Sequence, residues 1–401
     1  MSFNTYPLIK ALAGILMSTL ATVAFAAEDS NDTEMELQRL KQEILNLKHK
    51  VERLEKSRIP LNKEFEEPAA PEQNQEKKEA TAKPVVPWSE RVHFNGLVEV
   101  EASYADTPEG GKSDLVISTV ELGVEAQLNN WVNGHVLVLY EQDETNSPEI
   151  DEAIITIANL ERSPWSLAVG LQYVPFGNYD SHMVSDPLTL EIGETQETAA
   201  QFGFVKDDFH ALLYGFKGDT DNKVESLGIN LGWLHEAEGG NVGYTLEASW
   251  INNLADSNNL QDMIKRPGQL SKSVAGLGLA ASLSLENWKF IGEYLGAVSD
   301  FDALDLSFNK RGARPQASNL EGAYHFHMFD KHTFAALGWQ HSHEALVLDL
   351  PEDRYLATLG MDVHTNVNLA LEYAHDRDYS LKTGGSGENI DTLTLQLVAS
   401  F

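Results

Sequence analysis

After residue 87, runs of about ten residues alternate apolar with polar or small side chains, and this period of two limits the possible folds most. The final run is the clearest. Leu393, Leu395, Leu397, Ala399 and the terminal Phe401 share one face, while Thr392, Thr394, Gln396, Val398 and Ser400 share the other. Successive side chains of a strand point to opposite sides. A soluble sheet would need a second layer to cover the apolar face. In a membrane barrel lipid covers it, so every strand can carry the same pattern.

The pattern recurs upstream. Phe94, Gly96, Val98, Val100, Ala102 and Tyr104 oppose His93, Asn95, Glu99, Glu101 and Ser103. Trp165, Leu167, Val169, Leu171 and Tyr173 oppose Ser166, Ala168, Gly170 and Gln172, and Val367, Leu369, Leu371 and Tyr373 oppose Asn368 and Glu372. No apolar face holds a charge. A Lys or Arg at the bilayer midplane would cost about 2–4 kcal/mol. The runs add up to about sixteen strands. Tight connections at 128–131, 161–164, 206–208, 286–287 and 364–366 alternate with long ones at 141–149, 174–198, 252–272, 299–315 and 376–388. Such sorting is that of periplasmic turns and extracellular loops. The expected fold is an all-β transmembrane, about sixteen-stranded antiparallel outer-membrane β-barrel over 88–401, with both ends of the chain on the short-turn side.

What precedes the barrel reads as three pieces. Lys10, the apolar run 11–24 and Ala24-Phe25-Ala26 form a secretory signal peptide, 1–26. The absence of cysteine excludes disulfides and thiolate metal sites, and with them a lipid anchor at the cleavage point. Over 27–59, Leu37, Leu40, Ile44, Leu47, Val51 and Leu54 follow 3,4 spacing, the core of a short α-helical coiled coil. Its flanking pairs Glu36 with Lys41, Glu43 with Lys48 and Lys50 with Glu55 are opposite in sign. So short a coil needs its copies held close, as a porin trimer would hold them. The β-branched a positions alone favour two strands; a homotrimer is expected from the barrel. The stretch 60–87, rich in Pro, Glu, Lys and Ala, is a linker. The coil then lies in the periplasm, where coil or linker could also contact peptidoglycan.

The polar face must line the lumen, and it gathers Glu99, Glu101, Glu121, Glu125, Glu247, Glu293, Glu321 and Glu372. The net charge is −32, of which the region after residue 87 holds −30. Acidic rings in a water-filled pore attract cations; alternatively the acids bridge divalent ions with lipopolysaccharide, chiefly in the loops. The connection 174–198 exceeds what a hairpin needs and is the expected constriction, with Phe176, Tyr179, Asp180, His182, Asp186, Glu191 and Glu194 as its candidates, the alternative being a surface loop. Lys310, Arg311 and Arg314 form a basic cluster suited to an anionic ligand or a lipopolysaccharide phosphate.

His325 and His327 share a strand face, as do His341 and His343. The pairs belong to opposite ends of the barrel, so they read as solvated positions, and neither metal nor cofactor is expected. Ser342 lies between His341 and His343, but strand neighbours point to opposite faces. No catalytic group is identified, and neither an enzyme nor a nucleic-acid partner is expected.

The run Gly170-Leu-Gln-Tyr-Val-Pro-Phe-Gly177, then Ser185-Asp-Pro-Leu-Thr-Leu, Gly193-Glu-Thr, Arg314-Pro315 and Asn319-Leu-Glu321, resembles the LbtU-type siderophore porins, the legiobactin-receptor family. The signal peptide, coil and closing aromatic share in the resemblance. It implies a sixteen-stranded barrel without a plug that takes up a ferric siderophore. An anionic polycarboxylate complex would meet an acidic lumen, a conflict unless iron screens the charge, the loops bind first or substrates differ. Two other readings stand beside it: a general cation-preferring or other small-solute trimeric porin, and an envelope tether gripping peptidoglycan.

Overall fold

The structure, a computed structural model, describes residues 91–401 apart from 143, 144, 146, 219, 221, 222, 237–241 and 265–269. The expected signal peptide, coiled coil and linker lie outside the described residues.

Sixteen strands close into one antiparallel barrel. In chain order the first eleven are β1 (Val92–Thr107), β2 (Gly110–Gln127), β3 (Val132–Tyr140), β4 (Glu149–Ala158), β5 (Trp165–Tyr173), β6 (Gln196–Lys206), β7 (Phe209–Phe216), β8 (Ser226–His235), β9 (Gly243–Ile251), β10 (Gly276–Leu285) and β11 (Trp288–Ala297). A two-stranded ribbon, β12 (Ser307–Phe308) with β13 (Arg311–Gly312), interrupts the series in a loop. The barrel resumes with β14 (Gln316–Met328), β15 (Lys331–His343), β16 (Asp353–His364), β17 (Val367–Arg377) and β18 (Asn389–Ser400).

Closure is made by the run with which the pattern was read. β18 pairs with β1 in a register that sets Ala399 against Val98 and Gln396 against Glu101. Gly96 and Phe401 exchange backbone N–H···O bonds of 2.9 Å in both directions. The Phe401 ring lies over Gly96, where a Cβ would come within 2.3 Å of it, so any larger residue at the seam would have to turn that ring aside.

The two faces separate as the alternation demands. Phe94, Leu213, Leu246, Leu320 and Leu337 stand out on one face, Leu337 at 69% exposure. The opposite parity holds the strand glutamates. A face that is apolar, exposed and uncharged around a closed sheet is a lipid-facing wall, and no helix among the described residues is long and apolar enough to cross a membrane.

At one end four hairpins close with two residues each, at 207–208, 286–287, 329–330 and 365–366. Asp207, Glu286, Phe329, Asp330 and Asn366 take positive φ there. The other end carries the long connections 174–195, 252–275 and 298–315. Two details depart from strict sorting. The first connection at the long-loop end, 108–109, is itself tight, and 236–242 at the short-turn end has seven residues. Strand β6 also starts at Gln196, shortening the expected connection 174–198.

The barrel's apolar core is made by its loops. Phe176, Leu188, Ile192, Leu254, Leu260 and Phe301 are nearly or fully buried, together with Tyr214, Ile251 and Leu295 from the inward parity of β7, β9 and β11. These packed loops fill the long-loop end over one side of the barrel.

Candidate functional site

The connection 174–195 leaves β5, carries a short helix α1 (Leu188–Gly193) and returns to β6. Between β5 and α1 it has no sheet partner, so its N–H groups need other acceptors, a strict need at membrane depth. The inward side chains of five strands, β9, β11, β14, β15 and β17, supply them. Gly177 N donates to Ser249 Oγ on β9 at 3.1 Å, and Asn178 Nδ2 to Glu247 Oε1 at 2.9 Å. Asn178 N and Tyr179 N donate to the two oxygens of Glu293 on β11, at 2.7 and 3.3 Å, and Thr189 Oγ1 adds a third bond at 2.7 Å.

The same device recurs twice. Glu321 on β14 accepts from His182 N at 2.9 Å and Ser181 Oγ at 2.9 Å, with His182 Nδ1 2.6 Å away. Glu372 on β17 accepts from Val184 N (2.6 Å), Ser185 N (3.0 Å), Ser185 Oγ (2.6 Å) and Thr358 Oγ1 of β16 (2.8 Å). Leu188 N donates to Gln340 Oε1 on β15 at 3.2 Å. A carboxylate offers about four acceptor sites and binds donors with charge assistance, which suits glutamate to this task. The other face of these strands carries the exposed apolar residues, so the connection lies inside the barrel.

Of the eight strand glutamates read as pore lining, Glu293, Glu321 and Glu372 are thus buried beneath the loop, Glu372 at 1% exposure. Glu247 binds Asn178 and, at 3.4 Å, Asn230. Glu125 stands nearer the short-turn end, 4.0 Å from His135 Nδ1. Glu99, Glu101 and Glu121 face open space.

That space is a cavity of about 770 Å³ between the loop and the wall of β18, β1, β2, β3 and β4. Its acids are Glu99, Glu101, Glu121, Glu141, Asp151 and Glu152 from the wall side, with Asp186 and Glu194 from the loop side. No Lys, Arg or His lines it among the described residues. Gln396 Nε2 donates to Glu99 at 2.8 Å and Glu101 at 3.0 Å, and Ser118 Oγ donates to Glu99 at 3.2 Å. Burial raises the Glu194 carboxyl to about 7, with Asp186, Glu191 and Asp151 adding to the rise and the Asn258 amide opposing it.

On the open wall His135 Nε2 lies 3.1 Å from Glu152 Oε2, while the inward Lys289 and Arg354 lie on the other wall and are paired there. Lys289 Nζ is 2.7 Å from Asp180 Oδ2, and Arg354 grips Asp376 with Nε at 2.8 Å and a second nitrogen at 3.0 Å. On the loop-bearing wall each of these two bases has an acid beside it; the open side is acidic on both banks.

The remaining candidates take structural places. Phe176 enters the loop core, Tyr179 adopts positive φ behind Gly177, and Glu191 accepts from Asn259 Nδ2 at 2.7 Å. Gly177, at φ 90°, leaves no room for a Cβ beside the Tyr179 ring. In the basic cluster Arg311 pairs with the buried Glu344, and Arg314 donates from Nε to the Ala297 carbonyl at 3.0 Å, leaving Lys310 exposed at the tip. Sequence reasoning missed Asp151, Glu152, Gln396, Lys289 and Arg354. For Glu152 a signal exists, since it alternates with the exposed Ile155 and Ile157.

No family model matches the chain. It is 34% identical over 317 residues to a UPF0422 protein of Coxiella burnetii, covering 76% of this chain and 68% of that one. It is 26% identical over 328 residues to a UPF0422 protein of Legionella pneumophila strain Paris, covering 72% of this chain and 62% of its relative. The chain therefore spans less than two thirds of that Legionella protein. Among solved structures it superposes on Pseudomonas putida OprB with a TM-score of 0.56 at 8% identity, over 78% of this chain and 95% of that one. The outer membrane channel DcaP of Acinetobacter baumannii gives 0.52 at 16% identity, over 77% and 97%. Both likenesses are likenesses of fold.

Proposed function

The chain belongs to the UPF0422 family, and we propose that it is an outer-membrane porin through which small cationic solutes pass down their gradients. The observation that carries this reading is the cavity beside the inner loop, bounded by eight acids and no base among the described residues. Paired acidic banks in water raise the local concentration of cations and exclude anions. The shape supports passage: the inner loop is fastened to one wall and leaves the other side open. The porin-like barrel, with no catalytic constellation identified, fits a channel better than an enzyme.

The test is the reversal potential of the purified full chain in a planar bilayer across a salt gradient. A potential of cation sign supports the reading; anion selectivity, or no conductance, ends it. The narrower expectation of a ferric siderophore is tested in the same bilayer. The resemblance over 170–177 supports it, since that segment enters the inner loop, while the acidic banks weigh against an anionic complex. Block of single channels by the ferric siderophore would favour it, and indifference would leave the general cation pore.

Assembly is a separate part of the proposal. The heptad over 27–59 would join three copies on the periplasmic side, and deletion of 28–86 should abolish the trimer while leaving envelopes intact. Unchanged uptake with detached, blebbing membranes would instead make the segment a peptidoglycan tether.

A further inference from the structure

Below the inner loop, toward the short-turn end, three histidines gather on the inward face of β14 and β15. His327 stands directly opposite His332 in the strand register, and His325 lies one inward position further along, opposite Phe334. His325 Nδ1 and His332 Nε2 are 3.3 Å apart. The other ring nitrogen of His332, Nδ1, is 3.3 Å from Asp362 Oδ2 on β16, and Asp362 is fixed by Asn368 Nδ2 at 3.1 Å. His332 and Asp362 open onto a cavity of about 430 Å³ at the short-turn mouth. None of these groups lines the acidic cavity above, and the one that touches the inner loop is His325, whose ring meets that of His182 edge-on at 5.1 Å between centroids.

We propose that His325 and His332 form a two-nitrogen binding site for a divalent transition-metal ion on the lumen wall, with Asp362 as the positioning residue. Two metal–nitrogen bonds of about 2.0–2.1 Å at a tetrahedral angle set their nitrogens about 3.3 Å apart, the separation found. A carboxylate on the far nitrogen of a ligating imidazole fixes the tautomer that leaves the near nitrogen free to bind, and Asp362 occupies that place on His332. Imidazole pairs suit Cu²⁺, Ni²⁺ and Zn²⁺, whereas Ca²⁺ and Mg²⁺ seek oxygen.

Among the described residues no three His, Asp or Glu donors converge on one point, so two imidazoles hold the ion and water completes its shell. His327, whose ring is edge-on to His332 at 6.1 Å between centroids, is not a ligand in this arrangement. A two-ligand site open to water exchanges its ion readily, the behaviour of a stepping stone in a channel. The histidine pairs expected to be merely solvated thus differ: His341 is 3.1 Å from Asp353 Oδ1 near the other rim, whereas His325 gains its partner from the neighbouring strand.

The alternative for the same 3.3 Å is a proton shared between neutral imidazoles, and titration separates the two. Tag-free full chain in detergent is titrated with Zn²⁺ by calorimetry, and Cu²⁺-loaded protein is read by electron paramagnetic resonance. One ion per chain and coupling to two imidazole nitrogens are expected. D362N should weaken binding by about tenfold, at the low end for an outer-shell partner; H332A should weaken it more and leave at most one nitrogen coupled. H341A, with H343A, should change neither readout. Heat-modifiable migration on gels checks that each variant keeps its barrel. Unaltered affinity in H325A and H332A, or its loss in H341A, would overturn the proposal. Binding is read without conduction, so a barrel that fails to conduct but binds Zn²⁺ removes the porin reading and leaves this one.

Discussion

On β17 the carboxylate of Glu372 is 1% exposed and accepts bonds from two backbone N–H groups of the inner loop and two hydroxyls. On β1, with only β18 between them, Glu99 and Glu101 share the amide of Gln396 and border the open cavity. All three are glutamates at the inward position of an alternating strand. What distinguishes them is the loop. Where an irregular backbone crosses the wall it must be given acceptors, and glutamate becomes a clasp; where it does not cross, glutamate borders the open cavity. Lumen charge therefore cannot be counted by parity alone, because the loop withdraws Glu293, Glu321 and Glu372 from the solvent.

The largest effect that could break this contrast comes from Glu372→Ala. It strands the N–H groups of Val184 and Ser185, and each unsatisfied buried donor costs about 1–3 kcal/mol. A stability loss on the order of 3 kcal/mol and a freed loop follow, so the unfolding temperature should fall and single-channel conductance should change. Wild-type values of both would show that the carboxylate holds nothing. The triple variant Glu99→Gln, Glu101→Gln, Glu121→Gln should do the reverse. Stability should stay within about 0.5 kcal/mol, while cation selectivity falls. A unit charge about 6 Å from an ion in water contributes about 0.7 kcal/mol, roughly threefold per residue before salt screening. A reversal potential equal to wild type would remove these three residues from the pore.

Much of the barrel could be read beforehand because lipid imposes a single rule on every second residue. Leu393 to Phe401 obey it to the last atom, and so did the predicted sorting of most connections. The clasp was not legible. Glu293 and Glu99 are equivalent in pattern, and only the path of residues 177–185 separates them, which depends on contacts over a hundred residues apart. The loop core did leave a trace. β7 and β11 carry Tyr214, Phe216, Leu295 and Ala297 at inward positions near the long-loop end, where water-facing residues were expected. Apolar side chains of that parity mark where loops pack inside. Glu152 was readable by parity, but Lys289 and Arg354 matter through Asp180 and Asp376, partners that only the fold identifies.

A smaller effect sharpens the contrast through pH. Glu194 belongs to the loop but faces the open cavity, and its carboxyl titrates near 7 because burial raises it. Cation selectivity should therefore decline as pH falls from 8 to 6, and Glu194→Gln should flatten that decline. The native chain binds this proton near 7 and the unfolded chain near the ordinary glutamate value of 4.5. Between those values the native state holds more of it, so this group makes stability fall as pH rises across the window. A selectivity profile that is flat in the wild type would place Glu194 away from the ion path.

The smallest effect expected is that of Lys289→Met, on the loop-bearing wall. Lys289 and Asp180 are 28% and 40% exposed, so their 2.7 Å pair is worth at most about 1 kcal/mol. The backbone bonds from Asn178 and Tyr179 to Glu293 keep the loop in place when it is lost. Conductance should hold, and the reversal potential should move slightly further in the cation direction as Asp180 loses its counter-charge. A shift larger than that of the Glu99, Glu101 and Glu121 triple variant would reverse the assignment of the two walls. Ions would then pass along the clasped side, and the acidic cavity opposite would have no part in selectivity.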